Sequence, residues 1–240
     1  SFAYRRYLPL GKPECLVENL DRWGADEILV QVIDRSLSDC GPDYELLEKI
    51  ARLGLGTPLI YGGGIRTVEE GVRVIQSGAD RLLIDALLHD DISVVFGLGN
   101  RLGAQAIIAS MPMATGVEGP EWLNYRYRSK ATAPMKEALA KTIEQGVVSE
   151  VLLTDWRHEG TPHGFDDAMI DLFPYKKLSL IAFGGISSAG QMQALLSRPN
   201  VAAVAVGNFL NYREHAIQQL KMSIASATLR PPTYATEYSL

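Results

Sequence analysis

The chain has 240 residues, of which 47% are hydrophobic and 21% charged, with a formal net charge of −5; this is the balance of a globular enzyme with a sizeable core, and no basic stripe is present to bind nucleic acid. Cys15 and Cys40 stand apart with no CxxC partner, which argues against a disulfide framework or zinc site and for a reducing, cytoplasmic setting. No apolar stretch is long enough to span a bilayer and no signal-peptide pattern opens the chain, so a soluble protein without metal or organic cofactor is expected.

Apolar residues at three- and four-residue spacing predict a first helix over residues 13–23, followed by a β-branched strand over 28–33. The alternation continues with a helix over 43–54, carrying Leu46, Leu47, Ile50 and Leu53, a strand over 58–61 and a helix over 68–77. A strand over 81–84 and a helix over 92–98 follow, then a strand over 106–110 and a helix over 133–145. The last units are a strand over 151–154, a helix over 166–172, a strand over 180–183, a helix over 189–197 and a strand over 201–206. Strand and covering helix in strict alternation imply a parallel sheet with right-handed crossovers. The length suits one (β/α)8 TIM barrel occupying residues 1–240, with an irregular C-terminal arm over 229–240 around Pro231-Pro232. Only seven strands are read, and nothing before Pro13 reads as one, so the first strand is expected to be missing from this sequence or the barrel to be atypical.

The two halves of the chain repeat each other. Tyr61-Gly62-Gly63-Gly64-Ile65-Arg66-Thr67 opens a helix that leads through Gly78-Ala79-Asp80 to the strand Arg81-Leu82-Leu83-Ile84-Asp85. Phe183-Gly184-Gly185-Ile186-Ser187-Ser188 opens a matching segment that ends at Gly207-Asn208, and Glu27-Ile28-Leu29 matches Glu150-Val151-Leu152. Two similar half-barrels are therefore expected. A glycine run between a strand and a helix lets backbone N–H groups and the helix N-terminus face an anion. Two such runs suit a ligand with an anionic group at each end; the plainer reading is that the glycines only make tight turns.

Gly62-Gly63-Gly64-Ile65-Arg66, Gly78-Ala79-Asp80-Arg81, Glu150-Val151-Leu152-Leu153-Thr154 with Glu159-Gly160-Thr161, Gly184-Gly185 and Tyr212-Arg213-Glu214 together resemble the cyclase (synthase) subunit of imidazole glycerol phosphate synthase and its close relatives. The resemblance runs from about Pro13 to Arg213. It implies a glutaminase partner at the N-terminal face of the barrel, forming a heterodimer, with ammonia passing through the barrel to a phosphorylated substrate at the C-terminal face. It implies an ammonia gate formed by Glu27, Arg81 and Glu150, for which an ordinary ion-pair plug is the alternative, and it turns Asp80 toward the glutaminase. A first phosphate site is implied at Gly62, Gly63, Gly64, Asp85 and Ala86. A second is implied at Glu159, Gly160, Gly184, Gly185, Gly207 and Asn208.

The sequence departs from that pattern in two places. Asp85 replaces an amide, and a carboxylate repels a bound phosphate unless a cation or proton intervenes. Pro112 stands where the second of the family's two catalytic aspartates aligns, and the strand carrying the first is not seen. Substitute titratable groups are Asp34, Glu159 and His158, with Asp34 and Glu159 taken as the catalytic pair, although each also reads as an ordinary loop residue. His89 and His163 receive no role. The stretch Glu121-Trp122-Leu123-Asn124-Tyr125-Arg126-Tyr127-Arg128-Ser129-Lys130 reads either as a surface for stacking a base and contacting a diphosphate or as a β-hairpin flap. These departures favour a synthase that adds ammonia to a phosphate-bearing sugar or nucleotide sugar, in surface polysaccharide biosynthesis. The alternatives are the histidine-biosynthesis cyclase itself and a non-catalytic scaffold or regulatory barrel.

Overall fold

The computed structural model describes residues 11–35, 38–124, 129–131, 133–207, 210, 215–224 and 229–231. Among them, seven parallel strands alternate with helices. β1 (Ile28–Gln31), β2 (Leu59–Gly62), β3 (Arg81–Ile84), β4 (Ile107–Gly116), β7 (Glu150–Asp155), β8 (Ser179–Phe183) and β9 (Val201–Ala205) lie side by side in chain order. Helices α1 (Pro13–Arg22), α2 (Tyr44–Ala51), α3 (Val68–Gln76), α5 (Ile92–Leu102), α6 (Ala133–Glu144), α7 (Ala168–Leu172), α8 (Ala189–Leu196) and α9 (Ala216–Met222) fill the connections, and a single turn, α4 (Leu87–Asp90), follows β3. This is the α/β barrel expected from the sequence, with β1 and β9 as the sheet edges among the described residues. Residues 1–10, where a preceding strand was sought, lie outside them.

Period-two alternation divides each strand between two environments. One face packs on the helices in the main core, built from Leu82, Ile84, Ala109, Val151 and Leu153 with α2, α3 and α5. The other face lines the barrel with a separate cluster of Ile60, Leu83, Ile108, Leu152 and Ile181, against which Leu29 packs. Among the described residues this lining is hydrophobic, aliphatic apart from Phe183, and carries no charge.

β4 runs past its predicted end and turns back into a hairpin. It pairs with β3 from Ile107 as far as Ala109, and from Met113 onward with the antiparallel β5 (Gly119–Asn124), which pairs in turn with β6 (Ser129–Lys130). Pro112 falls between these two pairings, where its missing N–H deprives no partner strand on that side. The hairpin is the flap reading of this stretch. Trp122 is only 2% exposed and stacks on His89 of α4 with ring centroids 4.2 Å apart, so it offers no face to a base. Tyr125, Arg126, Tyr127 and Arg128 lie outside the described residues.

The first and last parts of the chain are tied together. Lys221 of α9 donates to Asp26 at 2.9 and 3.0 Å and to the Gly24 carbonyl at 2.6 Å. Arg230 donates to Asp21, to the Ala25 carbonyl and to Thr57. The described part of the C-terminal arm thus packs on its own chain.

Candidate functional site

The glycine runs that the sequence pairs are built alike. Gly63 and Gly64 have φ of +135° and +71°, and Gly184 and Gly185 have +112° and +74°. A Cβ on Gly63 would stand 2.4 Å from the Val32 carbonyl oxygen, and one on Gly184 would stand 2.6 Å from that of Asp155. In the next position, Gly64 closes on the backbone of Cys40 and Gly41, and Gly185 on that of Gly164. Behind each loop a helix is capped in the same way. Thr67 Oγ1 accepts from Glu70 N while Glu70 accepts from Arg66 N, and Ser188 Oγ accepts from Gln191 N while Gln191 accepts from Ser187 N. These side chains satisfy part of the first turn of α3 and α8 and hold both loops against the strand ends. Bare glycine backbone before a helix N-terminus is an arrangement suited to anions.

These contacts make Val32 and Asp155 equivalent, and with them their third successors, Arg35 and His158. Arg35 donates to Asp43 at 2.7 Å and to the Gly41 carbonyl. On the other half, Asp155 is 1% exposed. Its Oδ1 accepts from Arg157 N and His158 N at 3.2 Å each, and its Oδ2 accepts from Asp166 N at 3.0 Å and lies 2.7 Å from His158 Nδ1. The sequence reading ended this strand at residue 154 and missed Asp155; the repeat, which sets it against Val32, is the signal that could have found it.

Of the other expected site residues, Gly62 sits against Leu83 inside the barrel mouth, Ala86 begins the turn into α4, and Gly207 meets the Phe183 ring. Glu159 and Gly160 are buried in the turn after β7, with Glu159 N donating to the Asp155 carbonyl. Asp34 is exposed in the turn after β1, its carbonyl accepting from Ser38 N and Oγ. Asn208, Tyr212, Arg213 and Glu214 lie outside the described residues.

Asp85 faces the barrel mouth, two residues beyond Leu83 of the lining. Its Oδ2 accepts from Ser110 Oγ of the neighbouring strand at 3.1 Å. Part of its surface is open to solvent, yet protein surrounds it. Burial pushes its carboxyl up to about 7, opposed by the Ser110 hydrogen bond and reinforced by the charge of Asp90. Near neutral pH the group therefore carries a proton part of the time, and a protonated carboxyl can donate as the amide it replaces would. The raised folded-state value means that the folded chain holds this proton more tightly than the unfolded chain, so stability falls as pH rises from about 4 to about 7. Asp85→Asn is expected to leave stability unchanged near pH 4 and to raise it at pH 8 by up to about 2 kcal/mol, solvent in the mouth screening part of the shift. Equal denaturation midpoints for the two proteins at pH 8 would contradict this.

Below the aliphatic lining lies a charged cluster. Arg81 donates to Glu27 at 3.2 Å, to Glu150, to Ser149 Oγ at 3.0 Å and to the Gln105 carbonyl at 3.1 Å. Each of the three charged residues stands two positions before a lining residue, Leu29, Leu83 or Leu152, so all three face the barrel axis at its N-terminal end. Asp80, next to Arg81, is exposed and accepts from Leu59 N at 2.7 Å, which fixes the start of β2.

Among the described residues, no group of three His, Cys, Asp or Glu side chains could hold a metal ion, and no helix is long and apolar enough to cross a membrane.

Residues 5–216 match the model of the family described as "Histidine biosynthesis protein". A putative imidazole glycerol phosphate synthase subunit of Vibrio vulnificus is 26% identical over 231 residues, covering 95% of this chain and 84% of the relative. Imidazole glycerol phosphate synthase subunits of Natranaerobius thermophilus and Pyrococcus furiosus are 26% and 28% identical, covering 88% and 94% of this chain and 84% and 89% of the relatives.

Proposed function

The chain belongs to the histidine biosynthesis protein family, and from that premise we propose that it is the ammonia-accepting synthase subunit of a glutamine-dependent amidotransferase of the imidazole glycerol phosphate synthase type. The observation that carries this reading is the vertical order of the barrel axis. Arg81, Glu27 and Glu150 close the N-terminal end, an uncharged aliphatic lining follows, and Asp85 with the two glycine loops stands at the far end. A neutral molecule such as ammonia passes an aliphatic lining at little cost, whereas ammonium would be desolvated there. The glycine loops then hold the two anionic ends of one substrate, and Asp85 in its protonated form removes the repulsion that a carboxylate would impose at the first of them.

The names of the relatives support imidazole glycerol phosphate as the product, and the family resemblance of the sequence supports a bisphosphorylated aminoimidazole ribonucleotide precursor as the acceptor. Pro112, together with Asp85 where it is charged, favours the second reading, in which ammonia is added to a nucleotide sugar for a surface polysaccharide.

The test pairs this chain with the glutaminase that co-purifies with it from its host. Glutamine hydrolysis and consumption of the aminoimidazole precursor are followed, with glutamine or an ammonium salt as nitrogen donor. Stimulated hydrolysis and conversion with either donor are expected. Stimulation with no conversion of that precursor but conversion of a nucleotide sugar would move the assignment to the second reading; neither stimulation nor conversion would end both.

A further inference from the structure

The two halves of the repeat differ where chemistry could differ. At the first glycine loop the flanking cation is Arg35, whose guanidinium stays charged at any working pH and can bind but not exchange a proton. At the second loop the equivalent position is His158, which can do both. A buried carboxylate accompanies only the histidine. Asp155 replaces the aliphatic Val32 and receives three backbone N–H groups besides the imidazole. Asp155 Oδ2 stands as the acceptor for a proton on His158 Nδ1 and so orients the ring. The His158 side chain remains 38% exposed, with Nε2 left for another partner. It is also pinned to the glycine loop, since a Cβ on Gly185 would stand 2.9 Å from His158 Cβ.

We infer that His158 is the proton-transfer residue of this site, acting through Nε2 on a substrate whose anionic end rests on Gly184 and Gly185, with Asp155 as its positioning residue. This rests on the reading above, in which ammonia is the nucleophile. The nitrogen lone pair forms a C–N bond to a carbonyl or imine carbon, and the π pair of that carbon–heteroatom bond moves onto the heteroatom. Imidazolium Nε2 gives its proton to the heteroatom, and the neutral imidazole then takes one from the new C–NH3+ group. The histidine ends as it began, and no oxidant or further reactant is needed. The titratable and charged groups around the imidazole are Asp155 at Nδ1, His163 with its ring centroid 6.3 Å away, Arg157 and Glu159 as chain neighbours, and Asp166, whose backbone N–H holds Asp155.

The experiment measures ammonium-driven turnover of the aminoimidazole precursor across pH 5.5–9 for the wild type, His158→Gln, His158→Ala and Asp155→Asn, each checked for its thermal midpoint. Loss of a general acid–base group is expected to lower kcat in His158→Gln about 100-fold. Its KM should change little, and the limb of the pH profile that belongs to the imidazole should disappear. Asp155→Asn should lower kcat with KM kept, because the imidazole loses the carboxylate that orients it. Added imidazole should restore part of the turnover of His158→Ala. An unchanged pH profile, a rise in KM with kcat kept, or no rescue by imidazole would overturn the assignment and leave His158 as an anion clamp or a turn residue. If the wild type itself turns over neither this precursor nor a nucleotide sugar, the function proposed above fails, and this inference with it.

Discussion

Replacing Arg81 by methionine is expected to lower the stability of the fold by about 2 kcal/mol, because the change strips the partner from two carboxylates that face one barrel axis. Glu27 and Glu150 are held together by the guanidinium between them. Without it they repel each other, and Glu150, the less exposed of the two, starts β7. The loss should shrink at acid pH, where the carboxylates become protonated. It should also shrink in Arg81→Met/Glu150→Gln, which removes the repulsion along with the cation. The shortfall from additivity in that double mutant measures the coupling directly. In the proposed complex the same substitution should reduce turnover with glutamine several-fold more than turnover with an ammonium salt supplied at saturating concentration. Equal losses with both donors would mean that the cluster only plugs the barrel.

A second large effect is expected from a single methyl group. Gly184→Ala places a Cβ 2.6 Å from the Asp155 carbonyl at a φ of +112°, which no L side chain adopts comfortably. The obstructing atom is strand backbone, so relief requires moving the end of β7 or the loop. The cost should be about 3 kcal/mol or more. Since the displaced residue is Asp155, the orientation of His158 and the anion binding proposed for this loop should be lost with it. Gly190→Ala, six residues away, provides the contrast. Gly190 lies in α8 with nothing within 4 Å of the added atom, so alanine there should stabilise the chain by about 0.5–1 kcal/mol through helix propensity. Thermal or urea midpoints of the two variants measure both effects. If Gly184→Ala folds with wild-type stability, the close approach of loop to strand is absent in solution.

The repeat made most of the barrel readable, because buried strands and amphipathic helices differ in both period and length, and these differences survive in a single sequence. The strand over 81–84 needed no register to be recognised. The missed features depend on contacts across the chain. Asp85 meets Ser110 only because β3 and β4 are in register at Ile84 and Ala109, and no local pattern predicts that hydroxyl. Asp155 reads as an unlikely strand residue until its donors at 157, 158 and 166 are brought round it. α4 is one turn long and carries no periodicity, and α9 follows a stretch with none. At the N-terminal end the opposite holds. Glu27, Arg81 and Glu150 each precede a lining residue by two positions, so alternation alone directs them to one axis. Their role as a gate rests on the family resemblance, since alternation says only that they meet.

The ties between the start and the end of the described chain bear on how it folds. Lys221 and Asp26 are 195 residues apart in sequence, and closing a loop of that size costs about 5 kcal/mol of chain entropy. No partial barrel can recover that cost until the intervening strands have shortened the loop by pairing with their neighbours. Strand pairing is therefore expected to proceed outward from the hydrogen-bonded neighbours, with the seam joining α1, α9 and Arg230 sealed last. A chain still emerging from the ribosome lacks the Arg230 ties, so Asp21 and Thr57 stay without this clasp until synthesis has passed Arg230.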